Sequence, residues 1–345
     1  MRVRIQLVTQ MWPGPSDPDF GSFLVPLRDR FEAAGHQVGV SAITTRGGRP
    51  HKYAGLLGRA IADARRTRPE VVFAHMLFPA GAVGVAAARA SGAALVVMAH
   101  GQDVANIGHK RGVGAATARV LGRADAVIAN SAWLGAQLRL RSGYGGPLEV
   151  IDCGVDLDAF APRDQASARA ELGWGAERTA FVCVGSLIER KNVVGLADAF
   201  ARFGRGSLAF VGDGPLRSAL AGREGVHLAG RIDPTEVPRW VAACDVLCQP
   251  SLIEPFGQAT LEGMAMERSV IATKLGGPPE FVDAEAGILI DPTDPDALLG
   301  ALQRAAAMPA PNPAARAAAA RHDVNTQAAR MLAVLGAAIK AFDSR

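Results

Sequence analysis

What this 345-residue sequence lacks removes whole classes of protein. Its four cysteines (Cys153, Cys183, Cys244, Cys248) form no C-x-x-C pair, and its seven histidines never fall at H-x-x-x-H spacing. Without those spacings there is no ordinary zinc framework. Cys244 and Cys248, four apart around Asp245, read as a helix end followed by a strand, and all four thiols as buried. The longest apolar stretch, Val83 to Ala99, is broken by Arg89 and by the Ser91-Gly92 turn, so it does not span a bilayer. The opening Met1-Arg2-Val3-Arg4-Ile5-Gln6-Leu7-Val8 sets its charges inside an alternating apolar pattern and reads as a strand, not as the h-region of a signal peptide. No glycine period accompanies the 39 Gly and 21 Pro, which excludes a collagen-like chain, and 49% hydrophobic against 20% charged residues excludes a disordered one. No basic stretch is interleaved with aromatics in the manner of a nucleic-acid surface. The expectation is a soluble, cytoplasmic protein with no structural metal.

What is present is an alternation of strand-like and helical runs through nearly the whole chain, the pattern of parallel sheets covered by helices on both faces. Strands are expected at Val3–Thr9, Gln37–Ala42, Val71–Ala74, Ala94–Ala99, Ala126–Ala129 and Glu149–Asp152. A second set is expected at Ala180–Gly185, Leu208–Gly212, Val226–Ala229, Val246–Pro250, Val270–Thr273 and Gly287–Ile290. Helices read at Gly21–Ala34, Leu56–Arg66, Gly81–Ala90, Val193–Phe203, Pro234–Ala243, Gln258–Met266 and Pro295–Ala307. The Pro-broken Asp158–Asp164 marks a linker, and Pro309-Ala310-Pro311-Asn312-Pro313 a second break. The expected organisation is α/β: an N-terminal Rossmann-like domain over 1–162, a second over 163–310, and a helical segment over 311–345 that crosses back onto the first. Two doubly wound domains facing each other would hold a ligand cleft between the carboxyl ends of their sheets. Charge divides unevenly: Met1–Pro162 holds 18 Lys+Arg against 12 Asp+Glu, a net +6, and the remainder 19 against 21, a net −2. A basic first half suits a phosphorylated partner or peripheral contact with an anionic membrane face. A solvated Arg-rich surface accounts for it equally well.

The densest chemical signal is Ser251-Leu252-Ile253-Glu254-Pro255-Phe256-Gly257-Gln258-Ala259-Thr260-Leu261-Glu262. A strand ends before it and a helix starts near Gly257, where free N–H groups and the positive dipole end suit a pyrophosphate. Glu254 lies before that helix and Glu262 two turns into it, so the two could grip different parts of one extended ligand. Alone, the pair reads more simply as a helix-start carboxylate and a surface residue. It is not alone. Gly185-Ser186-Leu187-Ile188-Glu189-Arg190-Lys191 puts two cations after another strand, where they could neutralise a diphosphate. Val211-Gly212-Asp213-Gly214-Pro215 ends the next strand without completing G-x-G-x-x-G, because Arg217 stands last, which argues against a nicotinamide cofactor. Lys274-Leu275-Gly276-Gly277-Pro278-Pro279-Glu280 follows a further strand with a double glycine. In the first half, His100-Gly101-Gln102-Asp103 closes a strand with a His and an Asp, and Asn130-Ser131 reads as a helix N-cap.

In order and spacing, these stretches together with Gly35–Val38, Asp125–Ser131 and Gly154-Val155-Asp156-Leu157-Asp158-x-Phe160-x-Pro162 resemble the retaining glycosyltransferases of family 4, which have the GT-B fold. The resemblance covers nearly the whole chain. It implies that Lys191 contacts a donor diphosphate, with Ser186 and Arg190 beside it, and that Glu254, Phe256, Gly257 and Gln258 meet the donor sugar and phosphate, partly through backbone N–H groups. Glu262 would hold the ribose hydroxyls, and Gly230, Arg231 and Ile232 would lie near the base. His100 would sit against the transferred sugar, making His100, Lys191 and Glu254 the expected catalytic set. Asp103 would lie on the acceptor side, and Gly21 in a loop that closes over the diphosphate. The sequence departs from the family pattern at three places. Ser186 stands where an Arg usually precedes the Lys by five residues; Phe20-Gly21-Ser22 has one glycine instead of two; and Ala265–Ser269 replaces a Gly-x-Pro helix ending.

The implied reaction moves a hexose-type sugar, with retention, from a nucleotide-diphosphate donor to a hydroxyl of a glycan, lipid-linked or small-molecule acceptor. UDP is the first choice of nucleotide and GDP-mannose the second. Fixed cations and amides would carry the leaving diphosphate, so no metal and no cofactor are expected, and no D-x-D element stands at a strand end. Two rivals stay open. One is a GT-B-like sugar-nucleotide epimerase or hydrolase, against which the family-type pieces of the first half speak. The other is a catalytically weak nucleotide-sugar-binding protein that has lost its second cation.

Overall fold

The computed structural model describes residues 2–48, 51–175 and 179–345; Met1, where the opening run begins, lies outside them. Strands covered on both faces need near-continuous apolar runs, and each of the twelve expected runs forms a strand. They are β1 (Arg4–Thr9), β2 (Gln37–Ala42), β3 (Val71–His75), β4 (Ala94–Ala99), β5 (Ala126–Ala129), β6 (Glu149–Val150), β7 (Ala180–Val184), β8 (Ser207–Val211), β9 (Val226–Gly230), β10 (Val246–Gln249), β11 (Ser269–Thr273) and β12 (Gly287–Ile290). β6 is shorter than expected because Asp152 turns the chain, its Oδ1 accepting from the Gly154 N–H at 2.8 Å. The expected helix over Pro234–Ala243 is in two parts: a 3₁₀ turn at Pro234–Glu236, capped by Asp233, runs into an α-helix over Val237–Ala243. Pro238 falls in the first α turn, where a missing N–H costs nothing.

The chain divides into two units, one made of Met1–Gly154 with Val324–Arg345 and the other of Val155–Asp323. The Pro-broken stretch at 158–164 thus lies inside the second unit, as does the helix Pro313–Ala320. In the first unit the strands pair in parallel in the order β2-β1-β3-β4-β5-β6. Ile5, Leu7, Val71 and Phe73 point to one face, and Val8, Val72 and Ala74 to the other. The first face is completed from far along the sequence: Ala328, Met331, Leu335, Ala338 and Ile339 of the helix Val324–Asp343 pack there with Leu24, Leu27 and Phe31 of the helix Leu24–Ala33.

The second unit repeats the scheme in the order β12-β11-β10-β7-β8-β9, also parallel. Phe181, Cys183, Leu208 and Phe210 face one layer, and Val182, Ala209 and Val211 the opposite one. All four cysteines are free and buried, and burial pushes each thiol up, Cys183 and Cys244 to about 12. Among the described residues no His/Cys/Asp/Glu group could hold a metal ion, and no helix is long and apolar enough to cross a membrane.

Candidate active site

Strand order decides where each unit can hold a ligand. In the second sheet the order reverses between β7 and β10, which are neighbours, so the loops leaving their carboxyl ends diverge and open a crevice. The loop after β7 carries Arg190 and Lys191; the loop after β10 carries Glu254. The sequence separates these cations from the carboxylate by more than sixty residues, and the fold joins them. Lys191 Nζ lies 2.6 Å from Glu254 Oε2, with Arg190 Nη1 at 3.8 Å. Ser251 Oγ and Gln249 Nε2 donate to the same oxygen at 3.0 and 3.2 Å. Burial pushes the Glu254 carboxyl up, but Lys191, Arg190 and the hydroxyl of Ser251 outweigh it and hold the group below its ordinary range. Arg190 also donates to the Ile253 carbonyl at 3.0 Å, and its backbone carbonyl accepts from Leu252 N–H at 2.8 Å, so the two loops are tied together. Asn192 directs Lys191 by taking a left-handed φ of 52° at the turn and donating to the Pro292 carbonyl at 3.0 Å.

Glycine lets the neighbouring loops come this close. Gly276 (φ 129°) lies against Glu254, whose N–H bonds the Leu275 carbonyl at 3.0 Å and whose carbonyl accepts from Gly277 N–H at 2.9 Å; a Cβ at Gly276 would fall 1.8 Å from the Glu254 oxygen. At the ends of β7 and β8, a Cβ on Gly212 would fall 2.0 Å from the Gly185 carbonyl oxygen. The first approach packs the Glu254 loop against the loop after β11, and the second packs the loops after β7 and β8 together.

The helix Gln258–Ala265 starts at Gly257, whose φ of 107° suits glycine. The Phe256 ring is buried, with that of Phe281 5.5 Å away. Gln249 holds the helix start in place, its Oε1 accepting from Thr260 N–H at 3.1 Å and from the Thr260 hydroxyl. Glu262 lies half-buried one turn past Gln258; burial pushes its carboxyl up to about 7, partly offset by a hydrogen bond from Gln258. Ser186 is exposed at the end of β7. Gly230, at the end of β9, accepts from Gly212 N–H at 2.9 Å; Arg231 is exposed, and Ile232 packs on the core beneath. Lys191 and Gly212 thus follow β7 and β8, and Gly230 ends the next strand, β9, along one sheet edge.

In the first unit, His100 follows β4 and stands half-buried at the sheet's carboxyl edge, its ring 5.6 Å from that of Phe23. Asp103 is only 1% exposed. Its Oδ1 accepts from the N–H groups of His100, Gly101 and Val104, and its Oδ2 from Leu77 N–H at 2.8 Å. The carboxylate expected toward an acceptor is therefore turned into the backbone, where it fixes the His100-Gly101 turn (Gly101 φ 122°). Gly21 (φ 71°) lies against the Met11 carbonyl, where a Cβ would fall at 2.6 Å. Arg46 spans Asp17 and Asp19 at 3.2 and 2.7 Å in the same loop region. Ser131 caps its helix, its Oγ accepting from Leu134 N–H at 3.1 Å.

Three polar residues close to these groups were given no role by the sequence reading. Gln249 and His75 end β10 and β3 as single polar residues after apolar runs, a signal that sits at the functional edge of a parallel sheet. Thr260 lies inside the densest stretch, but its part in holding the helix start was not legible, since its partner Gln249 is eleven residues away.

Comparison with known proteins agrees with the two halves. The family described as Glycosyltransferase Family 4 matches residues 2–159, and Glycosyl transferases group 1 matches residues 178–307. A GDP-mannose-dependent α-(1-6)-phosphatidylinositol monomannoside mannosyltransferase from Mycolicibacterium smegmatis is 31% identical over 268 residues, 69% of each chain. A D-inositol 3-phosphate glycosyltransferase from Streptomyces avermitilis is 31% identical over 59% of this chain and 49% of its own. Across eight curated relatives the match spans between 43% and 69% of their length. A sucrose-phosphate synthase from Thermosynechococcus elongatus superposes with a TM-score of 0.81 at 23% identity, covering 99% of this chain and all of that one. The Anabaena protein HepE, solved in complex with UDP-glucose, gives 0.77 at 23% identity over 96% of this chain and all of its own. With its two doubly wound parallel sheets and matches to both halves, the chain belongs to the family 4 glycosyltransferases of GT-B fold.

Proposed function

We propose that this protein transfers a hexose-type sugar, with retention of configuration, from a nucleotide-diphosphate donor to a hydroxyl acceptor. The observation that carries this reading is the convergence of Lys191, Arg190 and Glu254 at the switch point of the second sheet, beside a glycine-started helix. Two cations and the helix N-terminus at Gly257 are placed to stabilise charge developing on a departing diphosphate. Because these groups are fixed by the fold, the chemistry does not call for a divalent ion. Glu262 takes the ribose hydroxyls, Gly230–Ile232 flank the base, and Gln258 supports the helix start. His100 meets the transferred sugar, while Asp103 holds the turn that presents it. Gly21 permits the loop that covers the diphosphate.

The leaving diphosphate oxygen accepts the acceptor's proton as the new bond forms on the same face, so no protein nucleophile is assigned. UDP is the first nucleotide to test, supported by the UDP-glucose complex of HepE, and GDP-mannose the second, supported by the mannosyltransferase relative. The acceptor is a glycan, lipid-linked or small-molecule hydroxyl, and the basic first half suits one held at an anionic membrane face.

The test is nucleotide release from a panel of UDP-, GDP- and ADP-sugars, with and without EDTA, followed by anomeric analysis of the product. Release from one donor that survives EDTA, with a retained anomer, supports the reading. An inverted product refutes retention, sugar release without transfer supports the hydrolase alternative, and donor binding without turnover supports the binding-protein alternative.

A further inference from the structure

The residue beneath His100 has no role in the reaction described so far. His75, the last residue of β3, is fully buried, and its Nδ1 lies 3.0 Å from Nε2 of His100. β3 and β4 are adjacent and parallel, with His75 opposite Met98, so the His100 ring reaches back over the end of its neighbour strand. Phe73 packs on the His75 ring at 4.3 Å, and Phe23 on that of His100 at 5.6 Å, which fixes both ring planes. The other nitrogen of His75, Nε2, is buried and has no partner among the described residues. His100 Nδ1 likewise meets no protein donor or acceptor among them, and the residue it belongs to is only partly buried.

We infer that His75 is a positioning residue: it donates its Nδ1–H to His100 Nε2, so that His100 presents a protonated Nδ1 as its outward ring nitrogen. This inference rests on the transferase reading for its consequence, which is that His100 gives a hydrogen bond to a sugar oxygen instead of taking one.

The choice between tautomers follows from satisfaction of the buried atoms. Two neutral rings share a single hydrogen across the 3.0 Å gap. Burial keeps both neutral, holding His75 well below its ordinary range and bringing His100 down to about 4, with the Asp103 charge offsetting only part of the effect. If His100 Nε2 were the donor, His75 would need its proton on Nε2, leaving a buried N–H with no acceptor, the rarer kind of orphan in folded proteins. With His75 Nδ1 as donor, the unpaired atom is a lone pair. That arrangement gives His100 its proton on Nδ1.

The test reads the resting protein first. Two-bond ¹H–¹⁵N spectra of the full chain with ¹⁵N-labelled histidine at pH 7, assigned with His75→Asn and His100→Asn, should show both rings neutral and both protonated at Nδ1. A proton on His100 Nε2, or an imidazolium at either position, overturns the proposal. The kinetic arm compares His75→Leu with His75→Asn, whose amide can donate from near the original Nδ1. Leu should lower kcat by about tenfold and change the donor KM by less than about twofold, and Asn should recover most of the loss. Unchanged kcat in His75→Leu, or a loss that Asn does not relieve, also overturns it. If His75→Leu does not fold, the spectra of the unmodified protein still decide. Because those spectra need no substrate, absence of sugar transfer by the unmodified protein would count against the transferase reading alone.

Discussion

Replacing Lys191 with Met separates the structural from the chemical work of the Lys191–Glu254 pair. The two side chains are 15% and 9% exposed and 2.6 Å apart, and removing one partner of such a pair typically costs about 3–5 kcal/mol. Glu254 keeps Ser251 at 3.0 Å, Gln249 at 3.2 Å and Arg190 at 3.8 Å, which brings the expected loss below that range, to about 2–3 kcal/mol. Glu254→Gln leaves the ammonium unpaired and should cost a similar amount, while the double replacement should cost about 2 kcal/mol less than the sum. Urea denaturation of the four proteins at pH 7 measures that coupling. Because the folded carboxyl lies below its ordinary range, its stabilisation is present above that range and fades as pH falls through the folded value, so the coupling should shrink below about pH 4. In the same proteins, loss of a fixed cation on a departing diphosphate should lower turnover by about 10²–10³-fold. If Lys191→Met loses stability as described but turns over within about threefold of the parent, the lysine only supports the loop and the proposed chemistry is wrong.

Glu262→Gln should behave in the opposite way. A carboxyl raised to about 7 by burial opposes folding as pH climbs from about 4.5 through 7, so the Gln form should be more stable at pH 8 by about 2 kcal/mol and no more stable at pH 4.5, while binding donor about tenfold more weakly. Thermal denaturation at the two pH values checks the sign. Gly276→Ala, with a Cβ 1.8 Å from the Glu254 carbonyl oxygen, should cost more than about 3 kcal/mol and abolish nucleotide release; Gly35→Ala (φ 88°), which meets nothing within 4 Å, should cost only about 1 kcal/mol. Equal losses at the two glycines would show that backbone conformation alone matters. Arg190→Ala should weaken donor binding about tenfold, and Ser186→Arg in that background should restore part of it; calorimetry with the nucleotide diphosphate reads both.

The strands were legible because a sheet covered on both faces requires continuous apolar runs, and runs such as Phe181–Val184 and Val246–Cys248 are short and carry the β-branched and aromatic residues that favour a strand over a buried helix. Loop residues at the ends of those runs were legible as candidates, since Lys191, Glu254 and His100 each follow a strand. Their mutual arrangement was not, because it depends on strand order: adjacency of β7 and β10 brings Lys191 to Glu254, and nothing local in either segment encodes it. Asp103 shows the converse limit. Its position after His100 was read as facing an acceptor, yet a side chain's direction follows from which N–H groups lack partners, and those belong to Leu77, Gly101 and Val104 as well as to His100. His75 was passed over because the apolar run before it ended the strand one residue early.

The return of the helix Val324–Asp343 to the first unit sets an order of events during synthesis. The second unit, Val155–Asp323, is continuous and can close its core once its own residues have emerged. The first unit begins emerging earlier but must wait, since Met331 and Leu335 fill the same layer as Phe31 and Phe73. Until that helix arrives, the sheet carrying His75 and His100 has one apolar face only partly covered, by the helix Leu24–Ala33. The half made first is therefore finished last, and a chain stopped at residue 323 would release a complete second unit attached to an aggregation-prone first one.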